Sequence, residues 1–259
     1  MHEARSGLPS CRSRSRSKWM RSSRSGPDPL DPGSGGFAHR GLFGRRVPEN
    51  SLAAFEAAIG IGAGIECDVR LAGDGSAVVF HDSNLNRMCD LALEVEATPA
   101  ALLMGQRLAE TGQQLPALHQ VLDLVRGRVP LLLELKTCDG NAARLCQEVA
   151  LELAVDQGVI GVMSFDPQVG RWFRRNASHM RRGLVVRHNL PWLKRWFALL
   201  MAAPQFVALD RKALHQAWVA RLRRRMPIYA WTVRTAAERA QAEVQADSLI
   251  WEGDGRPRN

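Results

Sequence analysis

From Phe37 onward, short and continuously apolar runs alternate with longer amphipathic stretches. Runs near 37–39, 65–69, 131–135, 160–164, 183–187, 206–210, 228–233 and 248–251 are rich in aliphatic and β-branched residues, as strands buried on both faces are. Between them the apolar positions spread to helical spacing over about 50–61, 116–126, 141–155, 167–175, 191–202, 212–224 and 235–245; Leu52, Phe55 and Ile59 follow the i, i+3, i+7 step of one face. Eight strands with intervening helices predict an α/β fold, a closed parallel (β/α)8 TIM barrel, for which 259 residues is an ordinary length. An open doubly wound sheet is the alternative, and the chain lacks its GxGxxG turn. After the Asp74-Gly75 turn, 76–81 reads as an extra strand folding back on the second. Residues 82–115 show no clear period and form a small insertion.

Polar residues collect where the apolar runs end. His39 ends the first, Glu66 and Asp68 the second, and Glu134 and Lys136 the third; Ser164, Asp210, Trp231 and Glu252 hold corresponding places later. In a barrel this is the rim that carries active-site groups. Side chains alternate across a strand, so Glu66 and Asp68 point to one side and Cys67 to the other. Two carboxylates on one face repel unless a cation lies between them. With Glu134 they make an oxygen-only ligand set, suited to Mg²⁺ or Ca²⁺ rather than to zinc. Taken alone, Glu134-Leu135-Lys136 would read as a structural ion pair.

Composition adds two constraints. Hydrophobic content of 46% is ordinary for a globular chain, whereas the net charge of +9 is high and partly local. Residues 1–35 form a low-complexity Arg/Ser/Pro/Gly segment with too little apolar content to fold, and we expect it to be disordered, with the barrel spanning 36–255. It lacks the apolar stretch of a secretory signal and the helical face of a transit peptide; a dispensable tail, or a start at Met20, is the plain reading. Five scattered cysteines without a CxxC pair indicate neither a disulfide scaffold nor a zinc ribbon, which fits a reducing, cytoplasmic setting. No run approaches the ~20 apolar residues of a transmembrane helix.

The chain resembles the glycerophosphodiester phosphodiesterase family. The match runs through His39-Arg40-Gly41, Pro48-Glu49-Asn50, Glu66-Cys67-Asp68, Asp74-Gly75, Val78-Val79-Phe80-His81-Asp82 and Leu85-Asn86-Arg87. It continues through Leu133-Glu134-Leu135-Lys136, Met163-Ser164-Phe165-Asp166 and Ala230-Trp231-Thr232-Val233. The resemblance implies metal-dependent hydrolysis of glycerophosphodiesters to glycerol 3-phosphate and an alcohol. It implies Glu66, Asp68 and Glu134 as metal ligands, His39 and His81 as the proton-transfer pair (His39 as base, His81 as acid), and a small cap over the barrel mouth. Arg40 and Lys136 suit phosphate oxygens. Asn50 matches the family's Asn at metal or phosphate, or is a simple helix N-cap. Trp231 offers a flat wall to glycerol, or packs in the core. His119, His179, His188 and His215 fall in no family motif. Two places depart from the pattern: Met88-Cys89 follows Arg87 where Thr or Ser is usual, and the last strand ends Ile250-Trp251-Glu252-Gly253 instead of Thr-Asp and Pro. Both departures are expected to bear on the head-group pocket.

Leu190 to Leu200 mixes tryptophans with basic residues on an amphipathic helix. We expect an outer barrel helix that buries its apolar side; peripheral contact with an anionic membrane is the alternative. Two further readings of function are a lysophospholipase D-type lipid phosphodiesterase and, in another class, an inactive basic barrel that binds nucleic acid through the RSRSRS run. The intact acid and histidine motifs speak for a small-molecule diester substrate and against a nucleic-acid partner.

Overall fold

The computed structural model describes residues 28, 30–138, 140–155 and 158–257. Its strands are β1 (Phe37–His39), β2 (Gly64–Leu71), β3 (Ala77–Val79), β4 (Leu131–Leu135), β5 (Ile160–Ser164), β6 (Arg181–Val186), β7 (Phe206–Asp210), β8 (Ile228–Val233) and β9 (Ser248–Trp251). All but β3 run parallel, and β1 pairs with both β2 and β9, so the sheet closes into the expected barrel. β3 is the extra strand, antiparallel to β2 with Val69 opposite Val79 and Leu71 opposite Ala77.

The helices are α1 (Leu52–Gly60), α2 (Asn86–Cys89), α3 (Ala100–Met104), α4 (Leu118–Val125), α5 (Ala142–Leu153), α6 (Pro167–Asn176), α7 (Trp192–Ala202), α8 (Ala217–Arg223) and α9 (Ala236–Gln245). Their starts are fixed locally. Ser51 accepts from the Ala54 N–H, Thr235 accepts from Glu238, and Asp166 accepts from Gln168 just ahead of a first-turn proline. The stretch expected as one helix over 212–224 is split. Asp210 accepts from the Lys212 N–H and winds 211–213 into a 3₁₀ turn, and α8 begins only after Gln216.

Alternation on the strands sends side chains either out to the helices or into the lumen. Outward, Ile65, Cys67, Val69, Leu133 and Leu135 meet Phe55, Leu118, Val121 and Leu145. Inward, Phe37, Leu132, Met163, Phe206, Tyr229 and Ile250 fill the lumen floor. Their bulk fits because facing positions are glycine: a Cβ on Gly183 would lie 2.3 Å from the Phe206 ring.

Part of the segment expected to be disordered, Asp28 and residues 30–35, is held against the barrel. Leu30 is fully buried in the floor cluster, where a Cβ on Gly161 would come within 2.4 Å of it. Asp28 accepts from the Tyr229 hydroxyl at 2.7 Å and pairs with Arg181 at 2.9 Å. One leucine and one acid among polar residues hold this strap, too little apolar pattern to register as structure. Residues 1–27 and 29 of the segment lie outside the described residues.

The insertion has a core of its own, Val78, Phe80, Leu85, Val95, Leu103, Leu108 and Leu115. It is tied to the rim beside α1, where Gln113 accepts from the Ala53 N–H and Arg87 donates to Glu49.

Candidate active site

Glu66, Asp68 and Glu134 stand side by side at the top of the lumen because β2 and β4 are paired in register, Asp68 opposite Glu134. Each places a carboxylate oxygen within 4.8 Å of the others, and all three are buried. Glu66 Oε1 is buried without a hydrogen-bond partner, and Asp68 Oδ1 accepts no aligned bond although the Lys136 ammonium lies 3.0 Å away. A buried carboxylate oxygen left unpaired costs stability. Two of them, converging with a third acid in an all-oxygen set, fit a hard divalent cation. Electrostatics agree. Burial, with the charges of Asp68 and Glu134 added, pushes Glu66 up to about 8. Burial works the same way on Asp68, but Lys136 and Arg40 outweigh it and hold that carboxyl well below its usual range.

The groups around Asp68 come from two loops, the β1–α1 connection and the turn after β4. Arg40 and Asn50 both have left-handed backbones, φ 57° and 56°. This bends the β1–α1 loop so that the Arg40 N–H reaches Glu66 (3.2 Å) and its guanidinium reaches Asp68 (3.1 Å) and Glu49 (2.8 Å). Both ends of the Asn50 amide address Asp68: Nδ2 donates at 2.9 Å and Oδ1 accepts from its N–H at 3.4 Å. Asn50 is therefore not the helix cap; Ser51 is. Lys136 forms ion pairs with both Asp68 and Glu134 and donates a hydrogen bond to Glu134.

His39 is buried at the end of β1, with Nε2 3.7 Å from Glu66 and Nδ1 2.5 Å from Glu252. Burial opposes its charge, yet Glu66 and Glu252 prevail and raise its pKa. Glu252 is in turn depressed to about 2: burial opposes this, but His39 and Arg234 outweigh it. Arg234 holds it at 2.7 Å. The departure at the last strand thus reaches His39. His81 stands across the mouth, Nδ1 2.6 Å from Asp82, which Arg87 grips at 2.6 Å while also gripping Glu49. Burial, aided by Arg40 and Lys136, lowers its pKa.

The β5–β8 side of the mouth differs. Trp231 donates to the Ala208 carbonyl at 3.0 Å and meets Phe165 edge-on, centroids 5.6 Å apart. The Arg187 guanidinium lies 4.8 Å over Phe165, and His188 pairs with Asp210 at 2.6 Å. His119, His179 and His215 belong to none of these contacts.

All nine residues singled out from sequence thus lie at one end of the barrel. Glu252, Asp82, Glu49 and Arg87 complete the constellation as orienters of the histidines and of Arg40. For Glu252 a signal existed, its position just past the last strand; for the others only motif membership pointed to them.

Comparison with known proteins agrees with this geometry. Residues 39–252 match the model of the glycerophosphoryl diester phosphodiesterase family. A glycerophosphodiester phosphodiesterase of Caldanaerobacter subterraneus is 33% identical over 172 residues, 60% of this chain and 69% of that one. A phosphodiesterase of Oleispira antarctica, solved in complex with the product sn-glycerol-3-phosphate, shares the fold with a TM-score of 0.76 at 22% identity, over 85% of this chain and 92% of that one. A glycerophosphodiester phosphodiesterase of Parabacteroides distasonis superposes with a TM-score of 0.71 at 21% identity, over 83% and 91%.

Proposed function

The chain belongs to the glycerophosphoryl diester phosphodiesterase family, and on that premise we propose that it hydrolyses glycerophosphodiesters to glycerol 3-phosphate and an alcohol with a divalent cation, Mg²⁺ or Ca²⁺. One observation carries the reading: three buried carboxylates converge, two of them with an oxygen that accepts no hydrogen bond, beside an imidazole that a fourth carboxylate orients. Glu66, Asp68 and Glu134 would hold the cation, which when bound supplies positive charge for the phosphate and acidifies an attacking hydroxyl.

The chain's own residues do the rest. Diester cleavage needs a proton taken from the attacking oxygen and one given to the departing alkoxide. Glu252 holds His39 by Nδ1 and Asp82 holds His81 by Nδ1, which leaves Nε2 of each ring to work. Arg40 and Lys136 line the carboxylates and would turn toward phosphate oxygens as these enter. Trp231 and Phe165 form the apolar wall for the glycerol carbons. Against burial, Glu66 and Glu252 raise the pKa of His39, while burial lowers that of His81; the order expected from sequence, His39 as base and His81 as acid, is what the two histidine variants decide. A cation held by Glu66 would offset the pull of that carboxylate on the His39 proton, so the division of roles rests on the loaded site. A reducing, cytoplasmic setting goes with this reading, since Cys67, Cys89 and Cys146 are free thiols.

The test is release of glycerol 3-phosphate from glycerophosphocholine and glycerophosphoethanolamine with Mg²⁺, with Ca²⁺ and with EDTA. His39→Gln and His81→Gln are compared on those esters and on a p-nitrophenyl ester. The variant that a good leaving group rescues has lost the acid, and the one it does not rescue has lost the base. No metal-dependent release from any of these diesters would overturn the reading.

A further inference from the structure

Helix α7 is built inside out. A barrel helix ordinarily buries its large apolar residues against the sheet, as α4 does with Leu118, Val121, Leu122 and Val125. On α7 the buried residues are Ala198 and Ala202, and the reason is a close approach to α6: a Cβ on Gly170 would lie 2.8 Å from the Ala202 methyl. No large side chain fits there. The large residues therefore occupy the opposite face, where Trp192 is 67% exposed, Leu193 59%, Trp196 61% and Phe197 55%, with Leu200 continuing the stripe. The expectation that this helix buries its apolar side is thus overturned. A contiguous exposed patch of two tryptophans, a phenylalanine and two leucines is uncommon on a lone soluble surface and marks something that covers it.

Charge says what covers it. Between Arg187 and Met226 the chain carries nine lysines and arginines against one carboxylate, Asp210, which His188 engages; Arg211 and Arg223 pair with Glu238 and Asp247 from later in the chain, and no ion pair is seen for Lys194, Arg195, Arg221, Arg224 or Arg225 among the described residues. Trp192, Arg195 and Trp196 share a groove with Trp218, Arg221 and Arg225 of α8 and its end, and the Arg195 guanidinium stacks 3.9 Å over the Trp218 ring. Apolar and indole side chains flanked by cations are the profile of a helix lying in the plane of an anionic bilayer, with rings at the headgroup level and cations on the phosphates. A second copy of the chain is a poor occupant, because a two-fold contact would press this cationic face against itself. Among the described residues no helix is long and apolar enough to cross a membrane.

The placement also fits. α7 follows β6 through residues 187–191, so its first turn lies at the same end of the barrel as the carboxylate mouth, where Arg187 stands over Phe165. We propose that the exposed face of α7, with the arginines of α8, docks the protein on anionic lipid bilayers, with the mouth end of the barrel beside the surface.

The test uses the full chain and vesicle co-sedimentation, without any catalytic readout for binding, so its outcome is independent of the reaction assigned above. Vesicles of phosphatidylcholine alone are compared with vesicles one-third phosphatidylglycerol. The expected result is binding to the anionic vesicles only, weakening steeply with salt. Trp192→Glu with Trp196→Glu should weaken binding at least about tenfold, and Arg221→Glu with Arg225→Glu by about fivefold or more per charge. Thermal midpoint and hydrolysis of soluble glycerophosphocholine should stay unchanged in both. Absence of vesicle binding, or binding undiminished in the tryptophan variant, overturns the proposal. So does a dimer in sedimentation velocity that the tryptophan variant disperses, which would make the face a contact between copies.

Discussion

Two residues separate the floor of this barrel from its mouth. On β1 the step is from Phe37 to His39, on β4 from Leu132 to Glu134, on β8 from Tyr229 to Trp231, and at the end of β9 from Ile250 to Glu252 just past it. The strands are the same and so is the lumen, yet one level is filled with rings and aliphatic chains while the next crowds acids, and in Glu66 and Asp68 leaves a buried oxygen without a hydrogen bond. The floor does what a core does, removing apolar area from water at about 25 cal/mol per Å². The mouth does the opposite. Like charges held in a dry place are unfavourable until a cation or proton joins them, and the raised Glu66 expresses that tension. The stable level sets the geometry that the unstable level needs.

That contrast can be broken at either level. The largest effect is expected for Glu66→Gln, which should cost about 10³-fold or more in diester hydrolysis and abolish calorimetric binding of Mg²⁺ or Ca²⁺, while the melting temperature holds or rises. A fall in melting temperature with metal binding intact would refute the division. Leu30→Ala should do the reverse, losing about 2–5 kcal/mol in denaturant unfolding with the metal affinity of the folded protein unchanged. Next is Glu252→Gln, for which a loss of about 10–100-fold in rate is expected. The His39 pKa should also fall, since the charge of Glu252 helps raise it; ring-carbon NMR reads this directly, and an unmoved pKa would make the contact merely structural.

Metal affinity should itself depend on pH. Glu66 ionises near 8 in the folded protein, so below that pH a cation must displace its proton and affinity should drop about tenfold per pH unit. Calorimetry at pH 6–7 in buffers of different ionisation enthalpy should reveal the released proton. The smallest expected effect is that of Tyr229→Phe, which removes the bond to Asp28 but keeps the ring and the Asp28–Arg181 pair: about 1 kcal/mol in stability and no change in rate.

The strands, the closed order and the acids at the rim were legible because a strand buried on both faces is apolar until it reaches the site, so Glu66, Asp68 and Glu134 stand out against their neighbours. What Asn50 and Arg40 touch was not legible. Their contacts depend on a left-handed backbone in a loop, which residue type alone does not reveal. Nor was the orientation of α7. Apolar periodicity identifies the faces of a helix but not which one is turned inward, and here Gly170 on a neighbouring helix decides it. Leu30 was missed because one leucine makes no pattern; its importance lies in a hole that strands far along the chain create.

The strap formed by Asp28 and Leu30 has a consequence in time. These residues leave the ribosome before any strand, yet Gly161, Arg181 and Tyr229, which receive them, emerge much later, the last 201 residues after Asp28. At about 5–20 residues per second, roughly ten to forty seconds pass between the making of the seal and the making of its seat. The seat of the strap is thus complete only once β8 has been made, so the first described residues to be synthesised wait longest for their partners.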